Sequence, residues 1–392
     1  MSWEGFAMIG RMKIFVVLLL AILIQLLLIS AASAQITEMI DSSGDGLGHP
    51  LSHPTCIAVD GSGNAFLAGR DSHNAFRISP GGEKTVIIDA AGDGAGNTLS
   101  SPRCIAVDGM GNAYVTGYAS SNVFKITPGG EITQIIDSTG DGTGNALNGA
   151  SGIAADSNGT VYVAGAVSNN VFRVTSDGVI TQIIDATGDG AGNSLEEPWA
   201  TAVDAAGNAY VTGYSSHNAF RIAPGGAVTE IIDETGDGEG NVLVDPWGVD
   251  ADGSGNVYVA GEGSDNVFKI ATGGAVSVII DATGDGAGNE LDGAVGLRLY
   301  GSTDVFVTGL FSDNVFRIGE DGVITEIIDE TGDGAGGVLD AARDVALIST
   351  GKALVTGSYS DNAFEIEVGE FPMIFENGFE SGDGGSWSDV VS

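Results

Sequence analysis

Residues 89–136 read DAAGDGAGNTLSSPRCIAVDGMGNAYVTGYASSNVFKITPGGEITQII, and close copies of this 48-residue unit follow one another along the chain. Asp41, Asp89, Asp137, Asp185, Asp233, Asp281 and Asp329 each open a D-x-x-G-D-G segment, and no insertion breaks the spacing. Gly69, Gly117, Gly165, Gly213, Gly261, Gly309 and Gly357 recur at the same interval, as do Phe76, Phe124, Phe172, Phe220, Phe268, Phe316 and Phe364. The unit holds four short apolar runs, Cys104 to Val107, Ala113 to Thr116, Val123 to Ile126 and Ile132 to Ile136. Turn residues separate them at Asp108 to Asn112 and at Pro128 to Gly130. Runs this short, rich in β-branched and aromatic residues, read as strands. The 63 glycines argue against helix, where each costs about 1 kcal/mol.

Four antiparallel strands at a period of 40 to 50 residues make a propeller blade. The expected fold is therefore all-β: a seven-bladed β-propeller of four-stranded antiparallel blades. One blade cannot bury both faces of its sheet, so the Phe series should pack between blades. The aromatic at Phe66, Tyr114, Tyr162, Tyr210, Tyr258 and Phe306, replaced by Leu354 in the last copy, should pack with it. Strand counting also predicts the closure. The fourth strand occurs six times between repeats, around Val86, Gln134, Gln182, Glu230, Val278 and Glu326. The missing seventh is Ile36 to Ile40, which reads like Ile132 to Ile136 and should pair with Ala363 to Ile366, hiding two open edges. Phe371 to Phe375 is the alternative closing segment.

Three regions are expected: a signal peptide at 1–34, the propeller at 35–368 and a flexible tail at 369–392. Arg11 and Lys13 precede the apolar run Ile14 to Ile29, and Ala32, Ser33 and Ala34 follow it, which is the pattern of a cleaved secretory signal. Glu4 suits such a leader poorly and points to a start at Met8 or Met12. The protein is then secreted or extracytoplasmic, in a periplasm or at a cell surface, with no membrane span after cleavage. The net charge is −38, from 52 acidic against 14 basic residues. That excludes nucleic acid and anionic lipid as partners, since both demand a concentrated basic face. Six basic residues, Arg77, Lys125, Arg173, Arg221, Lys269 and Arg317, share one repeat position, where the seventh copy has Glu365. They are expected to lie along neighbouring blades and meet carboxylates there.

The stretch Cys104-Ile-Ala-Val-Asp108, Gly111-Asn-Ala-Tyr-Val-Thr-Gly117 and Asn122-Val-Phe-Lys-Ile126 resembles the NHL repeat, a propeller blade, and also the bacterial SBBP group. The resemblance spans about Ile36 to Val368 and weakens where Leu299-Tyr300 and Leu347-Ile348 replace Val-Asp. It implies a propeller; its functional implications diverge, because such propellers serve as binding scaffolds, sugar-lactone hydrolases and antibiotic lyases. The tail Ile374 to Asp383, with Trp387 and Ser388, is similar to a short C-terminal element of exported bacterial proteins.

The D-x-x-G-D-G loops are the candidate metal site. Counting from Asp185, oxygen ligands fall at Thr187, Asp189, Asn193 and Glu196, with Gly190 at position 6, as a calcium loop requires. The candidate ligands are Asp41 and Asp45, Asp89 and Asp93, Asp137 and Asp141, Asp185 and Asp189, Asp233 and Asp237, Asp281 and Asp285, and Asp329 and Asp333. The competing reading is a Gly-rich connection whose Asp and Asn side chains cap turn amides. Position 12 favours that reading: Ser100, Asn148, Val244 and Asp292 stand where a bidentate glutamate belongs. Ca2+ is the one cofactor the sequence suggests.

Cys56 and Cys104 occupy one position of adjacent repeats and are read as small buried thiols; a disulfide needs their Cα atoms within about 7 Å. His49, His53, His73 and His217 form no zinc pattern and are read as surface residues. No G-x-S-x-G nucleophile motif occurs. Seven nearly uniform blades point to no catalytic centre, so the first expectation is a non-enzymatic binding or scaffold protein, a monomer with a protein or carbohydrate ligand. A lactonase- or streptogramin-lyase-like enzyme and a calcium-stabilised surface protein are the alternatives.

Overall fold

The computed structural model describes residues 35–301 and 304–369. The expected signal peptide, the tail from residue 370 and the alternative closing segment Phe371 to Phe375 lie outside the described residues. Among the described residues every regular element is a strand, arranged in seven antiparallel four-stranded sheets. Blade 2 consists of Pro102–Val107, Ala113–Gly117, Asn122–Ile126 and Ile132–Ile136, in the order of the four apolar runs. Around the ring, the first strand of each blade touches the first strand of the next, including blade 7 onto blade 1. These seven first strands surround the axis and line the channel.

The ring closes through the N-terminal strand. Ile36–Ile40 pairs antiparallel with Asn362–Glu367, with Ile36 opposite Ile366 and Glu38 opposite Phe364. The Glu38 carboxylate also accepts the Asn362 side-chain amide at 2.9 Å. The core sits between blades. All seven Phe of the ladder are fully buried, and Phe124, for instance, shares a cluster with Phe66 and Ala68 of blade 1 and Ile105 and Val115 of its own blade.

A second set of contacts ties neighbours together at the turn before each third strand. His73 Nδ1 accepts the Ser101 amide at 2.9 Å and His217 Nδ1 the Asp245 amide at 3.0 Å, 28 residues on in both cases. Asn169, Asp265 and Asp313 do the same for Glu197, Gly293 and Ala341. Asp361 carries the series across the closure to the His53 amide at 2.6 Å. His73 and His217, part-buried rather than fully exposed, are therefore inter-blade acceptors through Nδ1.

Cys56 and Cys104 form a disulfide between the inner strands of blades 1 and 2, with Cα atoms 4.9 Å apart. The reading as free thiols is corrected: neighbouring blades converge toward the axis, and inner strands there come closer than strands farther out. The basic ladder is corrected too. Arg77 and Arg221 donate to Asn64 and Asn208 of their own blades, at 3.3 and 2.8 Å. Lys125 and Lys269 lie near the rings of Tyr114 and Tyr258. Arg317 meets a carboxylate, but that of Asp304 in its own blade, at 2.6 Å. Blade 7 reverses the pair, with Lys352 donating to Glu365 at 2.5 Å. The side-chain partner is thus in the adjacent strand, the nearest neighbour in a four-stranded sheet, although Arg317 also donates to the Val368 carbonyl of the next blade at 3.0 Å.

Candidate functional site

Each inner strand enters from an inter-blade loop and breaks register at once. The ladder to the second strand shifts between Pro102 and Ile105, Pro198 and Thr201, Pro246 and Val249, and Ala342 and Val345, and equivalently in the other blades. Such a bulge re-aims side chains. It holds Thr55, Arg103, Ser151, Trp199, Trp247, Val295 and Arg343, one per blade. The turn after each second strand is held beside it: the amides of Arg70, Tyr118, Tyr214 and Glu262 donate to the carbonyls of His53, Ser101, Glu197 and Asp245 at 3.0 to 3.2 Å. These two positions carry no common residue around the ring, unlike the Phe ladder or the aspartate loops.

Together they build an aromatic and cationic cluster at one mouth of the channel. Trp199 and Trp247 stack at 4.7 Å and 9°, Tyr118 lies parallel to Trp199 at 5.9 Å, and Tyr214 sets its edge against both indoles. The Arg103 guanidinium is 4.4 Å from the Trp199 ring centre and 5.5 Å from that of Tyr118. Arg343 is 4.7 Å from Trp247. Cation–π attraction of this kind is worth roughly 0.5–2 kcal/mol. Val167, Phe311 and Tyr359 are large exposed apolar residues, and all three follow directly on the mouth turns. His53, expected at the surface, is half-buried here, with its ring edge-on to Tyr359 at 5.3 Å.

Burial displaces the ionisable groups of the mouth. It lowers Arg103 to about 9, with help from repulsion by Arg343 and Arg70. Arg343 falls to about 10, again through burial first. Burial and then the Arg70 charge bring His53 down to about 4, so its imidazole is neutral at pH 7. Burial pushes the Glu262 carboxyl and the Tyr214 phenol up. Three buried polar atoms of the mouth have no hydrogen-bond partner among the described residues: Trp199 Nε1, Glu262 Oε2 and Ser358 Oγ.

Farther along the inner strands Ala58, Ala106, Ala154, Ala202 and Ala346 share one repeat position, interrupted by Asp250 and Arg298. Asp250 accepts the Leu299 amide at 3.0 Å and lies 3.9 Å from Arg298. Asp344 accepts the Ile57 amide at 2.9 Å, which bridges blade 7 to blade 1. Burial raises both carboxyls above the usual range despite Arg298.

The loop aspartates behave differently. Asp185 accepts the Thr187 amide and hydroxyl at 2.8 and 2.6 Å; Asp189 accepts the Ala191 amide at 2.8 Å and the Asn193 side-chain amide at 2.8 Å. The same amide two residues on is taken by Asp41, Asp45, Asp89, Asp93, Asp137 and Asp141, and by Asp233, Asp237, Asp281, Asp285, Asp329 and Asp333. Side-chain hydrogen bonds from Thr139, Thr187 and Asn241 hold Asp137, Asp185 and Asp237 below the usual carboxylate range. Each loop is thus a pair of Asx turns. Among the described residues no three His, Cys, Asp or Glu side chains gather as a metal would require.

The aspartate loops were visible in the sequence because they repeat; the mouth was not, because it does not. The available signal was the lack of agreement at residues 103, 199, 247 and 343 once the seven copies are superposed.

Residues 92–125 match the profile of the SBBP β-propeller repeat. No curated protein matches the chain. Among solved structures it is similar to a streptogramin B lyase, at 15% identity and a TM-score of 0.67, over 86% of this chain and 98% of that one. Virginiamycin B lyase from Staphylococcus aureus gives 14% and 0.64, over 85% and 99%. Hydrazine synthase from Kuenenia stuttgartiensis gives 16% and 0.60, over 81% and 96%. At these identities the likeness concerns the fold.

Proposed function

We propose that the protein is an exported, monomeric, non-enzymatic binding protein that takes a protein or carbohydrate ligand at the aromatic and cationic mouth of its channel. One observation carries this reading: in a molecule of closely repeating blades, the bulged position of the inner strand differs from blade to blade and assembles Trp199, Trp247, Arg103 and Arg343 at one place. Trp, Tyr and Arg dominate the binding energy of interfaces, and propeller channels offer them a rigid frame. Export rests on the leader-like run before Gln35. Probing glycan and peptide arrays with the wild type and with a Trp199→Ala, Trp247→Ala variant tests the reading. Ligands should be retained by the wild type and lost by the variant; binding that survives the double substitution places the site elsewhere.

The enzymatic alternative has two groups in its favour, the neutral imidazole of His53 and the buried carboxyl of Glu262, each able to carry a proton. Turnover of lactones or streptogramin-type substrates by the wild type, abolished by His53→Ala, would replace the binding reading.

A further inference from the structure

Arg103 and Arg343 are two guanidiniums gathered on one indole, 5.8 and 4.7 Å from the Trp247 ring centre. With 52 acidic residues against 14 basic, carboxylates are abundant, and several cations use them: Arg70 pairs with Asp71, Arg298 with Asp250, Arg317 with Asp304 and Lys352 with Glu365, while Arg77 and Arg221 donate to Asn64 and Asn208. Among the described residues neither Arg103 nor Arg343 has a carboxylate at ion-pair distance, and neither guanidinium donates a hydrogen bond. Their contacts are with rings. Aromatic contact satisfies the charge in part but uses none of the five N–H donors of a guanidinium, which form a fork matched to two oxygens of a carboxylate.

Two like charges gathered on one indole, each lowered in its affinity for a proton first of all by burial, oppose folding. Chains retain such an arrangement where an anion relieves it. Trp199 Nε1 and Ser358 Oγ, buried and unpartnered, add two donors to the same mouth. Around them the exposed apolar side chains of Val167, Phe311 and Tyr359 would cover a non-polar body rather than a hydrated one. The carboxyls that oppose an anion are Asp71 toward Arg103 and Glu262 and Asp344 toward Arg343, with Glu262 the strongest on Arg343, and none is within ion-pair distance of either arginine.

We infer that the group entering the mouth is a carboxylate carried on an apolar, preferably aromatic, body, bound by the open N–H edges of Arg103 and Arg343. This deepens the binding reading above and rests on it. The test is isothermal titration calorimetry of the whole exported chain with 2-naphthoate and with the neutral 2-naphthylmethanol, on wild type, on Arg103→Gln with Arg343→Gln, and on Glu262→Gln. Expected is saturable binding of the acid, at least tenfold weaker binding of the alcohol, a loss of at least tenfold in the double Arg variant, and tighter acid binding in Glu262→Gln. Far-UV circular dichroism and melting curves identify a variant that fails to fold, and Glu262→Gln retains a readable sign where the Arg variant does not. Equal affinity for acid and alcohol, or no binding of either, overturns the inference. If array ligands still depend on Trp199 and Trp247 in that case, the mouth remains the site and only its anionic character is lost.

Discussion

The loops that join the blades and the bulges that open the inner strands lie a few residues apart in every repeat, yet they follow opposite rules. Asp185 and Asp189 have counterparts in all seven loops, each closing a turn with its own amides. Arg103, Trp199, Trp247 and Arg343 share one position, and there they contact one another across blades. The carboxylates differ in the same sense: hydrogen bonds hold Asp137 and Asp185 below the usual range, whereas burial holds Asp250 and Asp344 above it. What repeats is structural, because every blade must solve the same packing problem. What fails to repeat is free of that problem and available for recognition.

The strongest way to break this division is to damage the repeated part. Phe220, fully buried between blades 3 and 4, should cost about 3–5 kcal/mol as Phe220→Ala, read from urea denaturation. Gly188, at φ +62, would as alanine press against the Asn193 carbonyl oxygen and the Phe220 ring. Gly188→Ala should cost about 2 kcal/mol for the left-handed backbone and the clash, and more than Asp189→Ala, which leaves water to serve the freed amides. The Arg103→Gln and Arg343→Gln substitutions should not lower the melting temperature, since they remove desolvated charge. A mouth variant as destabilising as Phe220→Ala would erase the distinction.

The two classes of carboxylate predict opposite limbs of the pH profile. A loop aspartate lowered in the folded state contributes stability above its unfolded pKa near 3.8, and that contribution is lost as pH falls through the folded value. Asp344 is raised, so its contribution is present below 3.8 and lost as pH rises through the folded value. Asp344→Asn keeps an oxygen for the Ile57 amide and leaves Asp250 beside Arg298. It should therefore flatten the fall in urea midpoint as pH rises from about 4, without moving the acid limb below pH 4. An unchanged slope would mean that Asp344 does not titrate in that range.

The blades, their number, their strands and the closure by Ile36–Ile40 were all legible in the sequence, because a 48-residue register imposes the same strands seven times and leaves one strand to find a partner. The mouth was hidden by the same regularity. Superposition on a register draws attention to what agrees, and Trp199, Trp247, Arg103 and Arg343 stand where the copies disagree. Neither the bulge that turns them inward nor the approach of Cys56 to Cys104 has a sequence signature, since both follow from how adjacent strands converge on an axis. The ladder arginines misled for a related reason: alternation says which face a side chain takes, but not whether its partner lies in its own sheet or in the next.

The smallest effect is expected for calcium, which the loops are proposed to take only weakly. A ligand that binds the native state alone stabilises it by RT ln(1 + [L]/Kd). With seven equal loops at a Kd of about 10 mM, 1 mM calcium adds about 0.4 kcal/mol in all; at a Kd of about 1 mM it adds about 3 kcal/mol. The first figure is expected, because Asp185 and Asp189 already serve as acceptors for Thr187, Ala191 and Asn193, and a cation must share those oxygens or open the turns. Melting in 1 mM calcium and in chelator should then differ by about 1 °C or less. A shift of several degrees, lost when the second aspartate of successive loops is replaced by asparagine, would move the acidic loops from scaffold to site. Recognition would then reside in the repeated part as well, on the same face as the mouth.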